Sequence, residues 1–218
     1  MTTDMILMFK DGMIETLYMV FVSTITAYVL GLPTGVILYI TSKGSLCPCA
    51  PVNKVLGIIV NIIRSVPFLI LLVALLPFTR LIVGTSIGST ATCVSLIVAA
   101  TPFVGRMVES SLKEIDAGVI EAAKAMGSNH WQVIYKVLIP EAGPSLIVGG
   151  VITFTTILGY SAMAGFCGGG GLGTIAVNYG YYRYNNRIML ITVVLLVIIV
   201  QIFQEVGMKI AAKSDKRL

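Results

Sequence analysis

Three long stretches of this chain carry no charged side chain: Thr16 to Ser42, Leu81 to Gly105 and Ala142 to Tyr182. Each exceeds the roughly 20 apolar residues that a helix needs to cross the hydrocarbon core of a bilayer. Only 11% of the 218 residues are charged and 56% are hydrophobic, whereas a soluble domain carries about 25% charged residues because its surface faces water. A chain of this length can bury a good core, so small size does not explain the apolar excess. The pattern is that of an integral membrane protein.

The formal net charge is +5, which could suggest a nucleic-acid partner. The basic residues instead cluster between the apolar stretches, as juxtamembrane anchors do. No basic and aromatic patch resembles a nucleic-acid-binding module, and no nucleic acid is expected as a partner. A cleaved signal peptide is not expected either. Asp4, Lys10 and Asp11 stand at the N-terminus, and the apolar run behind them is too long for a signal h-region.

Five segments are predicted to cross the bilayer, at about 13–40, 55–78, 88–107, 144–165 and 187–208. Pro33 falls in the first and Pro67 in the second; both are tolerable where neighbours or water satisfy the freed carbonyl. Orientation follows from the Lys and Arg of short loops. Lys43 and Lys54 lie in the loop 41–54, Arg106, Lys113, Lys124 and Lys136 in or beside 108–143, and Lys209, Lys213, Lys216 and Arg217 in the tail. An odd number of spans puts these three regions on the cytoplasmic side and the N-terminus outside, together with the loops around Arg80 and Arg183. Arg64 departs from this pattern, because it lies inside the second predicted span. Two readings stay open for it: snorkelling to the cytoplasmic headgroups, or a place on a wet pathway.

Residues 108–143 form the one sizeable polar stretch, and they read as a helix–turn–helix. Asp116 can cap a helix running to about Met126, and Gly127 suits the position after a helix where φ is positive. Asn129 then opens a second helix, with Gln132 three residues on as in a capping box. Trp131, Ile134, Tyr135 and Leu138 are expected on one apolar stripe, and Pro140 and Pro144 end the segment. Short side chains at Ala122 and Ala123 allow a close approach to a partner groove, and Glu121 offers a charge for a partner cation. On pattern alone, a connector lying on the headgroups fits equally.

Chemistry-bearing clusters are sparse. Cys47, Cys49, Cys93 and Cys167 are expected to be unpaired thiols, since the cytoplasm is reducing and no second Cys or His pair is visible near Cys47-Pro48-Cys49. His130 is the single histidine, expected on the surface without a Cys to assist it. The run Gly168 to Gly173 formally contains GxGxxG, but no strand precedes it and no acid follows at the right distance. A loop allowing close backbone approach to a docked protein is the expectation. No GxxxxGK[ST] phosphate loop exists, no cofactor or metal is expected, and no enzyme activity.

Glu121-Ala122-Ala123, three residues, Gly127, nine residues, then Val137-Leu138-Ile139-Pro140 resembles the EAA signature of binding-protein-dependent ABC importer permeases. Val137 and Ile139 replace the usual Ile and Leu, changes of similar volume. The runs from Pro77 to Thr85, from Gly159 to Gly165, and from Gly168 through Arg183 look like the methionine importer branch, so the resemblance covers essentially the whole chain. It implies an all-α integral membrane fold in one domain over 1–218, with five transmembrane helices and a cytoplasmic coupling hairpin between spans three and four. It further implies a bacterial inner membrane location, a homodimer, two copies of a cytoplasmic ABC ATPase bound at the EAA helices, and an external methionine-binding lipoprotein. L- and D-methionine are the substrates implied. Glu121, Ala122, Ala123, Gly127 and Pro140 would form the coupling surface.

Near the outer end of the fourth span, Gly159, Ser161, Ala162, Ala164 and Gly165 surround Met163 with small residues. Small residues let helices approach or shift, and a flexible Met can plug a gap reversibly. Met163, Ser161 and Gly165 are therefore expected to form an outer gate, with ordinary helix packing the competing reading. Tyr179, Tyr181, Tyr182 and Tyr184 read as an interfacial aromatic belt, and the pairs Gly31/Gly35 and Gly84/Gly88 as helix-packing motifs within or between chains. The rival functional class is an ion-coupled carrier or channel. It is disfavoured because every acidic residue is expected at a span end or beyond, where carriers place carboxylates near the midplane. A permease for another amino acid remains the alternative within the same class.

Overall fold

The computed structural model describes residues 3–214, so Lys216 and Arg217 lie outside the described residues. Within them the chain is helical, with no strand. In chain order come α1 (Thr3–Ile40), α2 (Ala50–Ser65), α3 (Phe68–Val83), α4 (Ser89–Lys113) and α5 (Ala117–Ala125). Then follow α6 (His130–Gln132), a π turn (Val133–Leu138), α7 (Ile139–Glu141), α8 (Gly143–Ala164), a 3-10 turn (Gly165–Cys167) and α9 (Gly171–Ile175). A second π turn (Ala176–Tyr181) leads to α10 (Asn186–Ser214).

Among the described residues, α1, α4, α8 with its 3-10 turn, and α10 are each long and apolar enough to cross a membrane. A fifth crossing exists only if α2 and α3 are counted together, and these are bent by 108° at their junction. The straight span expected at 55–78 is therefore replaced by an elbow. Pro67 has no N–H to donate and pushes the residue before it out of the helical region; Val66 is extended accordingly, at φ −83° and ψ 126°. The Pro67 carbonyl starts α3 by accepting from the N–H groups of Ile70 and Leu71, both at 3.0 Å.

Several helices overrun the apolar segments that marked them. α1 starts at Thr3 rather than near residue 13, and α4 continues to Lys113 rather than 107. Hydropathy marks only the apolar part of a helix, whereas Lys, Arg and Glu at its ends are good helix formers.

The helices are held by backbone proximity. In a bilayer no hydrophobic force drives helices together, because lipid tails are as apolar as Leu; small residues that let backbones touch take over that role. Gly31 and Gly35 of α1 do this against α4. A Cβ built on Gly31 would stand 2.6 Å from Val104 Cβ, and one on Gly35 would stand 2.5 Å from both Gly105 O and Val108 Cβ. The Gly31/Gly35 pair thus packs within the chain. Gly84 and Gly88 do something else: with φ of 83° and 101° they shape the α3–α4 loop, and nothing lies within 4 Å of a Cβ at either.

Gly35→Leu is expected to lower stability by about 1–3 kcal/mol or more, as overpacking does, and to depress the melting temperature of the detergent-purified protein. Gly143→Ala, which meets nothing within 4 Å, should leave it unchanged or slightly raised.

Candidate functional site

The polar hairpin forms as its sequence predicts. Asp116 Oδ1 caps α5 by accepting from the Gly118 N–H at 2.7 Å. At the other end Gly127 takes φ 82°; its N–H donates to Lys124 O at 2.9 Å while the Ser128 N–H donates to Ala123 O at 3.1 Å. These two bonds close a Schellman turn and satisfy carbonyls that the helix end leaves free. Asn129 and Gln132 complete the capping box, each side chain accepting from the other's backbone N–H at 2.9 Å.

Past the box the helix widens. Between Val133 and Leu138 it is a π turn, in which the Ile139 N–H donates five residues back to Ile134 O. Pro140 follows directly and cannot donate, so the usual i→i−4 ladder could not have continued through it. The widening changes which side chains face inward. Val133, Ile134 and Leu138 are buried, whereas Trp131 and Tyr135 are 76% and 56% exposed. The apolar stripe expected from Trp131 to Leu138 therefore splits, with its two aromatic members facing out.

The EAA residues divide in the same way. Ala123 is buried at 3% exposure, while Glu121, Ala122, Gly127 and Pro140 are exposed. Met126 beside them is 80% exposed. The hairpin thus presents Glu121, Ala122, Met126 and Trp131 outward and anchors itself through Ala123, Val133 and Leu138. Glu121 lines a cavity shared with Lys43, Lys113 and Lys124 but pairs with no cation among the described residues.

Two clusters near the hairpin were not anticipated. Cys47 Sγ lies 3.3 Å from His130 Nδ1, so the histidine does have a thiol beside it. The partners are 83 positions apart, and only the fold brings the α1–α2 loop onto the start of α6. All four cysteines are free, and no group of three His, Cys, Asp or Glu side chains among the described residues could hold a metal. The second cluster centres on Glu109, which lies beyond the predicted third span, as the acids were expected to, but is buried within the extended α4. Its Oε2 accepts from Arg106 Nη1 at 2.6 Å and its Oε1 from Lys113 Nζ at 2.7 Å. Arg106 also reaches α2, donating to Gly57 O at 3.2 Å and Asn61 Oδ1 at 3.0 Å. The three-and-four-residue spacing of Arg106, Glu109 and Lys113 carried this signal in the sequence.

At the opposite end of α8, the three candidate gate residues separate. Met163 is 50% exposed, and it shares a helix face with exposed Ile152 and with Gly159, which has nothing within 4 Å. Ser161 is 2% exposed, and its hydroxyl donates to Leu158 O at 2.8 Å. Gly165 is buried where a Cβ would collide with the Gly173 backbone. Only Met163 points away from its own chain; Ser161 and Gly165 sit in the packing behind it.

The glycine run is turned inward. Glu15 Oε2 of α1 accepts from the Gly171 N–H at 2.6 Å, and Thr16 Oγ1 accepts from the Leu172 N–H at 2.8 Å. Thr92 Oγ1 of α4 donates to Gly169 O at 3.2 Å. Gly168, Gly170 and Gly171 all have positive φ. Close backbone approach is made here to the chain's own α1, α4 and α8. Arg183 stacks over the Tyr179 ring at 4.6 Å, and Tyr181, Tyr182 and Tyr184 are exposed.

The model of the binding-protein-dependent transport system inner membrane component family matches residues 31–209. This chain belongs to that family. It is a multi-pass inner-membrane permease component, a transport protein and not an enzyme. The permease is 51% identical over 165 residues to the D-methionine transport system permease protein MetI of Yersinia pestis, covering 76% of each chain. It is 50% identical over the same length to the MetI permease of Escherichia coli K12. Its fold superposes on a chain of the MetNI methionine ABC transporter, solved in inward facing conformations, with a TM-score of 0.97 and 48% identity over 99% of this chain and 100% of that one. An amino acid ABC transporter with histidines shares the fold at a TM-score of 0.80 and 20% identity.

Glu109→Ala removes two charge-assisted hydrogen bonds and strands Arg106 between α4 and α2. A loss of about 1.5–3 kcal/mol is expected, with Glu109→Gln intermediate. Melting temperatures of the purified variants check it; an alanine variant melting with the wild type would contradict the assignment.

Proposed function

We propose that this chain is the membrane-spanning subunit of an ATP-driven importer of methionine, taking L- and D-methionine through a path formed by two copies of itself. The observation that carries the reading is the near-complete superposition on the MetNI chain, combined with an EAA sequence placed on a rigid, doubly capped hairpin. The D-methionine permeases that it resembles give the substrate class.

The hairpin end lies in the cytoplasm, with the N-terminus outside and the C-terminus inside. Lys43, Lys54, Lys113, Lys124, Lys136, Lys209 and Lys213 gather at that end, as the positive-inside rule requires. Two copies of a separate ABC ATPase bind there, one per permease. Glu121, Ala122, Gly127 and the exposed Met126 and Trp131 form the contact, a small-residue surface with apolar anchors of the kind that dominates protein interfaces. Ala123 serves the same surface from behind by seating α5, and Pro140, which was expected to end the segment but lies within α7, serves it by forcing the π turn before it. A periplasmic methionine-binding lipoprotein docks on the far side, and the outer faces of α1 and α10 contact lipid.

Transport is alternating access. ATP binding draws the two ATPases together and with them the paired hairpins. Because α7 and α8 follow one another with only Ala142 between them, displacement of the hairpin is carried along α8 to Met163. Two Met163 side chains on the dimer axis then part to open the outer gate, while Ser161 and Gly165 hold the α8 end that carries them. Hydrolysis resets the path towards the cytoplasm.

Glu121→Lys is expected to reduce recovery of the ATPase with tagged permease at least about tenfold, as reversing an interface charge does; undiminished copurification with normal uptake would count against the contact. Met163→Ala should raise ATP hydrolysis in the absence of the binding protein and uncouple it from uptake. Unaltered coupling removes Met163 from the gate.

A further inference from the structure

The elbow between α2 and α3 borders a half-open cavity of about 180 Å³, well below the roughly 300–1,000 Å³ of sites for drug-sized ligands and suited to one small solute. Its wall includes Arg64, Val66, Phe68, Leu71, Phe103 and Tyr160. Phe103 belongs to α4 and Tyr160 to α8, so the cavity lies between the elbow and two spanning helices. Arg64 occupies the last turn of α2, one turn beyond Asn61, which Arg106 of α4 holds at 3.0 Å.

Arg64 is exposed, and it makes no hydrogen bond or ion pair among the described residues. A guanidinium left without a partner in its own chain offers its fork of donors to an anionic or carbonyl group that enters the cavity. Beside it α3 begins at Pro67 and Phe68 with no side-chain cap, so the positive end of a 16-residue helix opens at the same break. Discontinuous membrane helices place such ends against the anionic groups of transported solutes. Across the cavity Tyr160 is fixed by stacking on Phe68, with centroids 4.4 Å apart and an interplanar angle of 4°. Aromatic rings attract cations at their faces and thioether sulfur nearby.

We infer that this cavity is a transient binding site for the zwitterion of an α-amino acid on its way through the permease, with the carboxylate held by Arg64. The ammonium and the side chain lie against the Tyr160 and Phe103 rings, and Val66 and Leu71 supply the apolar wall. Tyr160 stands three residues before Met163 on α8, so a solute passing the gate meets the cavity next. A bidentate guanidinium–carboxylate pair fixes orientation as well as charge, and it selects amino acids over amines. The inference rests on the importer reading above and adds to it a defined stop for the solute within this subunit.

The test uses the complete transporter in proteoliposomes with internal ATP, and the permease–ATPase complex purified without the binding protein. Radiolabelled L-methionine is the probe in both, and 3-(methylthio)propylamine, the same molecule without its carboxylate, is the competitor. The complex lacking the binding protein is expected to bind methionine, and the amine to compete about tenfold or more worse than unlabelled methionine. Arg64→Gln should raise the Kd of that complex and the KM for uptake by about tenfold to a hundredfold, with Arg64→Lys recovering part of the loss and the ATPase still copurifying. Equal competition by the amine overturns the site, and so does an Arg64→Gln complex with unaltered Kd and KM. The competition arm needs no variant, so it decides the matter even if Arg64→Gln fails to assemble. Wild-type uptake without binding to the complex sinks the site alone, whereas absence of wild-type uptake sinks the importer reading and the site with it.

Discussion

Contact between the backbones of α1 and α4 is the constraint on which the rest of the permease depends. Gly31 and Gly35 leave no room for a side chain against Val104, Gly105 and Val108, and in lipid this close approach stands in for the hydrophobic force that collapses a soluble core. Once α4 is fixed on α1, its other faces become a frame. Arg106 ties α2 to it through Gly57 and Asn61, and Ser111 ties α8 to it through Ser145 at 2.8 Å. Glu109 neutralises the two cations that would otherwise crowd this corner.

The two ends of the bundle are built for different duties. At the hairpin end, Asp116, Gly127, Asn129 and Gln132 satisfy the helix termini within the segment itself. At the other end, Glu15, Thr16 and Thr92 clamp the glycine run onto three helices, which leaves Met163 to project from a firmly seated helix end. α8 joins the two. With only Ala142 between it and α7, it runs without a break to Ala164 and so spans the distance from the hairpin to Met163.

Much of the hairpin was legible because capping is local chemistry: an Asn, a Gln three residues on, and a Gly after a helix specify their own backbone. The outward turn of Trp131 and Tyr135 was not, since the π turn before Pro140 shifts the helical period on which a stripe is read. Cys47 meeting His130, and Glu15 meeting Gly171, were hidden for a different reason. Both pairs join positions far apart in the chain, and no spacing rule reaches across two helices.

The sequence by itself determined that this chain lives in a bilayer, where its polar segment folds outside the apolar spans, and which family signature that segment bears. Long uncharged runs, basic clusters and capping residues act within a few helical turns, so composition and spacing are enough to read them. Only the tertiary structure decided that Pro67 breaks a span into an elbow, that the glycine run faces inward, and that Ser161 and Gly165 are buried while Met163 is not. Those outcomes depend on which faces of distant helices meet. That is settled by close packing among backbones and by the need to give every buried polar group a partner.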